Sequence, residues 1–146
     1  MVEPLKMTKL KSQIPLFRGV LERHEDGRPP ISDERPEVLD SRTYRLKVPF
    51  DAETLFIYVT ISDRDGLPYE FFINCANVEL SEHLTAVSAL GSRMLRNGFP
   101  VEIVARDLLE IASPHTGHMR KGGYCPSLSA LIGRTLLAHA QQRLPE

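Results

Sequence analysis

The chain has 146 residues and a net charge of −1, with 42% hydrophobic and 25% charged residues, the balance of a soluble globular protein with one ordinary core. That charge provides no global field to steer the chain to nucleic acid or acidic lipid, so neither is an expected partner. No apolar run approaches the ~20 residues of a membrane span.

Lys6, Lys9 and Lys11 precede no long apolar segment of the secretory kind. The two cysteines, Cys75 and Cys125, lie far apart in sequence and fit a reducing compartment rather than a disulfide framework. A cytoplasmic protein is expected. Residues 1–37 carry scattered apolar positions, a short cluster at Ile14–Val20, and then the polar run HEDGRPPISDERPE. Pro29, Pro30 and Pro36 forbid a regular helix or central strand there. The expectation is an extended N-terminal arm over 1–37 and an ordered domain over 38–146.

From Thr43 the hydrophobic period is two: Tyr44, Leu46 and Val48 alternate with Thr43, Arg45 and Lys47, as in a half-buried strand. Leu55–Ile61 is β-branched and aromatic, which predicts a more deeply buried strand. Asp63-Arg64-Asp65-Gly66 is a turn sequence, and Tyr69–Cys75 is the returning strand of an antiparallel meander.

After Asn77 the period becomes helical. Ser81 is the expected N-cap, Glu82 favours the first turn, and Leu84, Val87, Leu90, Met94 and Leu95 form one stripe before Asn97-Gly98 ends the helix. Pro100 fits the first turn of a second helix with Val101, Val104, Leu108 and Ile111 inward, stopped by Ser113-Pro114. Residues 114–124 read as a basic, glycine-rich loop. A third helix then starts at Pro126, with Leu128, Leu131, Ile132, Thr135, Leu136 and His139 as its stripe. Strands first and helices afterwards imply an α+β fold, a three-stranded meander followed by three helices on one face.

The loop into the last helix is the leading candidate site. Arg120, Lys121, Gly122 and Gly123 precede an expected helix N-terminus at Cys125-Pro126. Free backbone N–H groups and the helix dipole make such an end a place for phosphate or a nucleotide. His115, His118, Tyr124 and Ser127 can add hydrogen bonds. The pattern is not a Walker-type loop, and a glycine-rich connector with solvated basic residues is the commoner explanation for the same residues. His115, His118 and Cys125 also offer zinc ligands, but a fourth must come from elsewhere and the usual paired spacing is missing. Cys125 at a helix N-terminus would have thiolate character, though no Cys-x-x-Cys accompanies it.

Carboxylates at Asp51, Glu53, Asp63, Asp65 and Glu70 sit in or beside expected turns and show no acid–base frame. The aromatics Tyr44, Phe56, Tyr58, Tyr69, Phe71 and Phe72 admit a stacking platform for single strands. Alternation on three strands favours core for them instead.

The order of these segments resembles the TSCPD domain, found at the C-terminal end of adenosylcobalamin-dependent (class II) ribonucleotide reductases and named for a Thr-Ser-Cys-Pro-Asp motif. The resemblance rests on Arg35, Pro36, Leu39, Thr43 and Tyr44, on the strands Leu55–Ile61 and Tyr69–Asn74, and on Ala89-Leu90-Gly91 followed by Leu95-Arg96-Asn97-Gly98. It covers about the last three-quarters of the chain and leaves Met1–Glu34 outside. At the name motif Cys125 and Pro126 agree, while Gly123 and Tyr124 replace Thr and Ser, and Ser127 replaces Asp.

The resemblance implies an accessory, non-catalytic subunit in deoxyribonucleotide synthesis. A class II reductase needs a radical-forming cysteine, a dithiol pair and a cobalamin-binding barrel. Two cysteines do not supply these, and such a barrel takes about 250 residues. Adenosylcobalamin is thereby implied for the partner reductase only, and no cofactor for this chain. The implied partner is the class II catalytic chain, docked on the sheet face or the final helix. A nucleotide or phosphate at the basic loop, and a second copy in a homo-oligomer, are the other partners the sequence admits.

Overall fold

A computed structural model describes residues 34–142 and residue 145. The chain divides into two units, Met1–Arg35 and Pro36–Glu146. The arm expected over 1–37, with its cluster at Ile14–Val20, falls outside the described residues up to residue 33.

Three long strands open the second unit: β1 (Asp40–Phe50), β2 (Glu53–Arg64) and β3 (Leu67–Cys75), paired antiparallel in the order β1-β2-β3. The turn after β2 is shorter than the Asp-Arg-Asp-Gly run predicts, because pairing continues through Arg64↔Leu67. Only Asp65 (φ 54°) and Gly66 (φ 78°) form the bend, two left-handed residues whose twist matches that of the strands they join. The register slips between Ser62 and Asp63, a bulge that leaves Tyr69 without a partner residue on β2.

The sheet's inner face is apolar and mostly aliphatic, with Leu46, Val48, Ile57, Val59, Ile61 and the ring of Phe71 essentially without solvent contact. Three helices cover it: α1 (Val78–Arg96), α2 (Val101–Leu109) and α3 (Leu128–Ala140). The expected α+β class and the meander-then-helices order are what the chain adopts. A small hairpin, β4 (His118–Arg120) paired with β5 (Gly123–Cys125), adds a second sheet where a loop is expected.

Local details depart from the sequence expectation for physical reasons. The α1 helix starts one turn early: Asn77 is its N-cap, accepting a hydrogen bond from the Leu80 amide at 3.1 Å, and Ser81 lies inside the helix. Of the expected stripe, Leu84 and Leu95 are buried, but Leu90 is exposed. The inward line runs instead through Leu84, Ser88, Gly91, Ser92 and Leu95, because α1 lies against the edge of β3. Ser92 Oγ accepts from the Phe71 amide at 2.9 Å and donates to the Phe71 carbonyl at 2.8 Å, replacing a neighbouring strand. A β-carbon at Gly91 would come within 2.5 Å of the Phe71 ring.

In α2, Pro100 is the cap rather than a first-turn residue. The helix ends before Ile111, which is exposed. The α3 stripe is as expected, and its Gly133 lets α2 approach closely: a β-carbon there would sit 2.8 Å from the Ala105 carbonyl.

Candidate functional site

The β4–β5 hairpin holds most of the residues singled out by the sequence. Lys121 and Gly122 form its exposed turn, and Gly123 takes φ 103°, a conformation that glycine adopts without a steric cost. His118 faces Cys125 across the pair, and Met119 faces Tyr124. His118 is buried and its Nδ1 donates to the Thr116 carbonyl at 2.9 Å. Its Nε2 is left as the acceptor facing Arg120 Nη1 at 3.4 Å. Arg120 also donates to the Lys47 carbonyl at 2.8 Å. That bond ties the hairpin to the free edge of β1 at Lys47.

The end of the last helix is arranged differently from the expectation. Cys125 belongs to β5, not to a helix N-terminus, and is fully buried with its thiol donating to the Ser127 carbonyl at 3.3 Å. Ser127 is the N-cap: its Oγ accepts from the Ala130 amide at 2.9 Å and donates to the Ile111 carbonyl. The Leu128 amide is taken by Thr116 Oγ1 at 3.0 Å. Two of the donors that an anion would use are thus satisfied by the protein's own hydroxyls, and Ser127 and Leu128 are buried. The hairpin presents Lys121, Met119 and Tyr124 to solvent instead.

His115 is exposed, its backbone N–H bonded to Ser113 Oγ at 3.3 Å, away from the buried pair His118 and Cys125. Cys75, the other thiol, is half-buried at the end of β3. Among the described residues no three His, Cys, Asp or Glu side chains are grouped to hold a metal ion.

Two polar constellations have no sequence signature. Tyr44 Oη meets His139 Nδ1 at 2.8 Å, and His139 Nε2 meets Asp63 Oδ1 at 2.8 Å. This chain pins the last turn of α3 to β1 and β2. Tyr44 and His139 are buried, so the array satisfies polar groups inside the core rather than offering a base to solvent. At the same end of the sheet Arg96 donates to Glu70 of β3, a carboxylate with no solvent exposure, and the guanidinium groups of Arg64 and Arg96 lie 5.4 and 5.7 Å from the Tyr69 ring centroid. Tyr44, Asp63 and His139, like Glu70 and Arg96, are too far apart in the chain to give a local spacing to read.

No helix among the described residues is long and apolar enough to cross a membrane. No curated protein and no solved structure matches the chain. Residues 33–140, which hold all three long strands, the hairpin and the helices, match the family model of the TSCPD domain, and the chain belongs to that family.

Proposed function

We propose that this protein is an accessory, non-catalytic subunit of an adenosylcobalamin-dependent ribonucleotide reductase, docking on the catalytic chain through its β4–β5 hairpin. The supporting observation is the family match over residues 33–140, since TSCPD domains are generally associated with ribonucleotide reductases. The second strand of the hairpin, Gly123–Cys125, overlaps the residues that resemble the family's name motif. The buried Cys125 of the hairpin and Ser127, the cap of α3 just after it, are committed to internal hydrogen bonds, while Met119 and Tyr124 stand side by side, 73% and 58% exposed. A neighbouring pair of large exposed side chains on paired strands is the kind of anchor that seats in a partner's pocket. Adenosylcobalamin enters as the cofactor of the catalytic chain, and no residue here is assigned to hold it.

The test is capture of the tagged full chain from native lysate of cells that express such a reductase, followed by mass spectrometry. Stoichiometric, salt-resistant recovery of the catalytic chain is expected, and its loss on combining Met119→Ser with Tyr124→Ser, with circular dichroism unchanged. A clean bait from those cells overturns the reading.

A further inference from the structure

The outer face of the three-stranded sheet carries a second, independent feature. The alternation that buries Ile57, Val59 and Ile61 places Phe56, Tyr58 and Thr60 on the opposite side of β2, with Arg45 and Lys47 of β1 and Phe72 and Asn74 of β3 on that same side. Against the expectation that these aromatics are core, only Tyr44, Tyr69 and Phe71 are buried, whereas Phe56, Tyr58 and Phe72 are 39%, 42% and 46% exposed. Phe56 and Tyr58 are two residues apart on the central strand, a separation of about 7 Å from the strand rise. Phe72 lies opposite Thr60, diagonal to Tyr58.

The same face is cationic. Lys47 lies opposite Phe56 and Arg45 opposite Tyr58, with the Arg45 guanidinium 3.9 Å from the Phe56 ring centroid. Glu70 is the carboxylate on this side of β3, and it is buried against Arg96. The exposed described positions of the three strands on this face therefore offer two cations and no carboxylate, on a chain whose net charge is −1.

We propose that this face binds single-stranded nucleic acid, with bases stacked on Phe56, Tyr58 and Phe72 and the phosphate backbone tracking Arg45 and Lys47. Three rings on two adjacent strands, two of them at i and i+2, match the layout by which an open antiparallel sheet stacks successive unpaired bases. The flanking cations supply charge complementarity to phosphates. A second copy of this chain fits less well, because face-to-face pairing would set cations against cations with no exposed carboxylate to accept them.

The test uses the full chain and a fluorescein-labelled oligothymidylate of about a dozen nucleotides in anisotropy titrations at several salt concentrations. Saturable binding is expected, weakened roughly tenfold by Tyr58→Ala and by Phe72→Ala separately, as loss of one stacking contact implies. The salt slope should fall by roughly 0.7 for Lys47→Gln, one phosphate contact on a single strand. These residues are exposed, so circular dichroism and melting should be unchanged. No binding at low salt overturns the proposal. So does binding that the ring substitutions leave intact, which would mean non-specific attraction of polyanions. Sedimentation showing self-association that Tyr58→Ala abolishes would assign the face to a second copy, and displacement of the oligonucleotide by an acidic peptide with equal potency would assign it to a protein partner. Because Met119 and Tyr124 are not on this face, their variants should bind the oligonucleotide normally, which separates this result from that of the reductase capture.

Discussion

The two faces of the meander come from the same alternating strands and have opposite surroundings. The inner face is aliphatic apart from Phe71 and the rim residue Tyr44, and helices seal it: Ile57, Ile61 and Phe71 have no solvent contact. The outer face has rings at Phe56, Tyr58 and Phe72 and cations at Arg45 and Lys47, all open. A period of two states which residues share a face and says nothing about which face a helix will cover. What decides it is the helices' own composition. They present β-branched and leucine side chains (Val101, Val104, Leu131, Ile132, Leu136) that fit an aliphatic surface, while flat rings and guanidinium groups retain favourable interactions in water.

If the inner face is the structural one, its largest ring should dominate stability. Phe71→Ala is expected to cost about 3–5 kcal/mol, read as a lower midpoint in urea unfolding, and a loss under ~1 kcal/mol would mean that this face is not closed. Leu131→Ala, in the middle of the covering helix, should cost ~2–5 kcal/mol by the same measurement. A change under half a unit would mean that α3 is not docked. The edge of β3 gives a finer contrast between adjacent residues. Gly91→Val drives a side chain into the Phe71 ring and should cost about 1–3 kcal/mol, whereas Leu90, one position away, is exposed and its change to Gln should stay within ~0.5 kcal/mol. Reversal of that order would return α1 to the stripe that hydrophobicity alone predicts. His139→Phe keeps a ring in place but strands the Tyr44 hydroxyl and removes the bond to Asp63. A loss of about 1–3 kcal/mol is expected from thermal melting.

How much of this is legible in the sequence follows from what each residue reports. Tyr44, Leu46 and Val48 on β1, and Leu128 through His139 on α3, are visible because large apolar side chains recur at the period of their element. The inward line of α1 is not, because Ser88, Gly91 and Ser92 carry no hydrophobic signal. Smallness places them inside, where α1 meets a strand edge. The β4–β5 hairpin escapes because three-residue strands are too short to set a period. Its glycines read instead as a flexible phosphate loop. The N-terminus of α3 is displaced to Ser127 because Pro126 is the more conspicuous start signal, although Ser127 is the better cap. The Tyr44–His139–Asp63 chain spans 95 and 76 residues of sequence, so only the fold brings it together.

The smallest expected effect is the most discriminating one. Tyr58→Ser and Phe72→Ser remove large rings from β-strands, and on a buried face each would open a cavity costing several kcal/mol. On the outer face the rings already meet water, and the backbone pairing of Tyr58 with Arg45 and Asn74 survives the substitution. Each change should therefore move unfolding free energy by no more than about 0.5 kcal/mol, most of it lost cross-strand contact. Urea unfolding of both variants beside Phe71→Ala puts neighbouring residues of one strand, Phe71 and Phe72, on a common scale. A Phe72→Ser loss near that of Phe71→Ala would mean that something covers the outer face in solution, and a concentration-dependent midpoint would identify the cover as a second copy. A near-zero loss leaves Phe56, Tyr58 and Phe72 as rings that folding does not require, held in a row beside Arg45 and Lys47. Stability alone does not then explain their placement, and recognition of a ligand does.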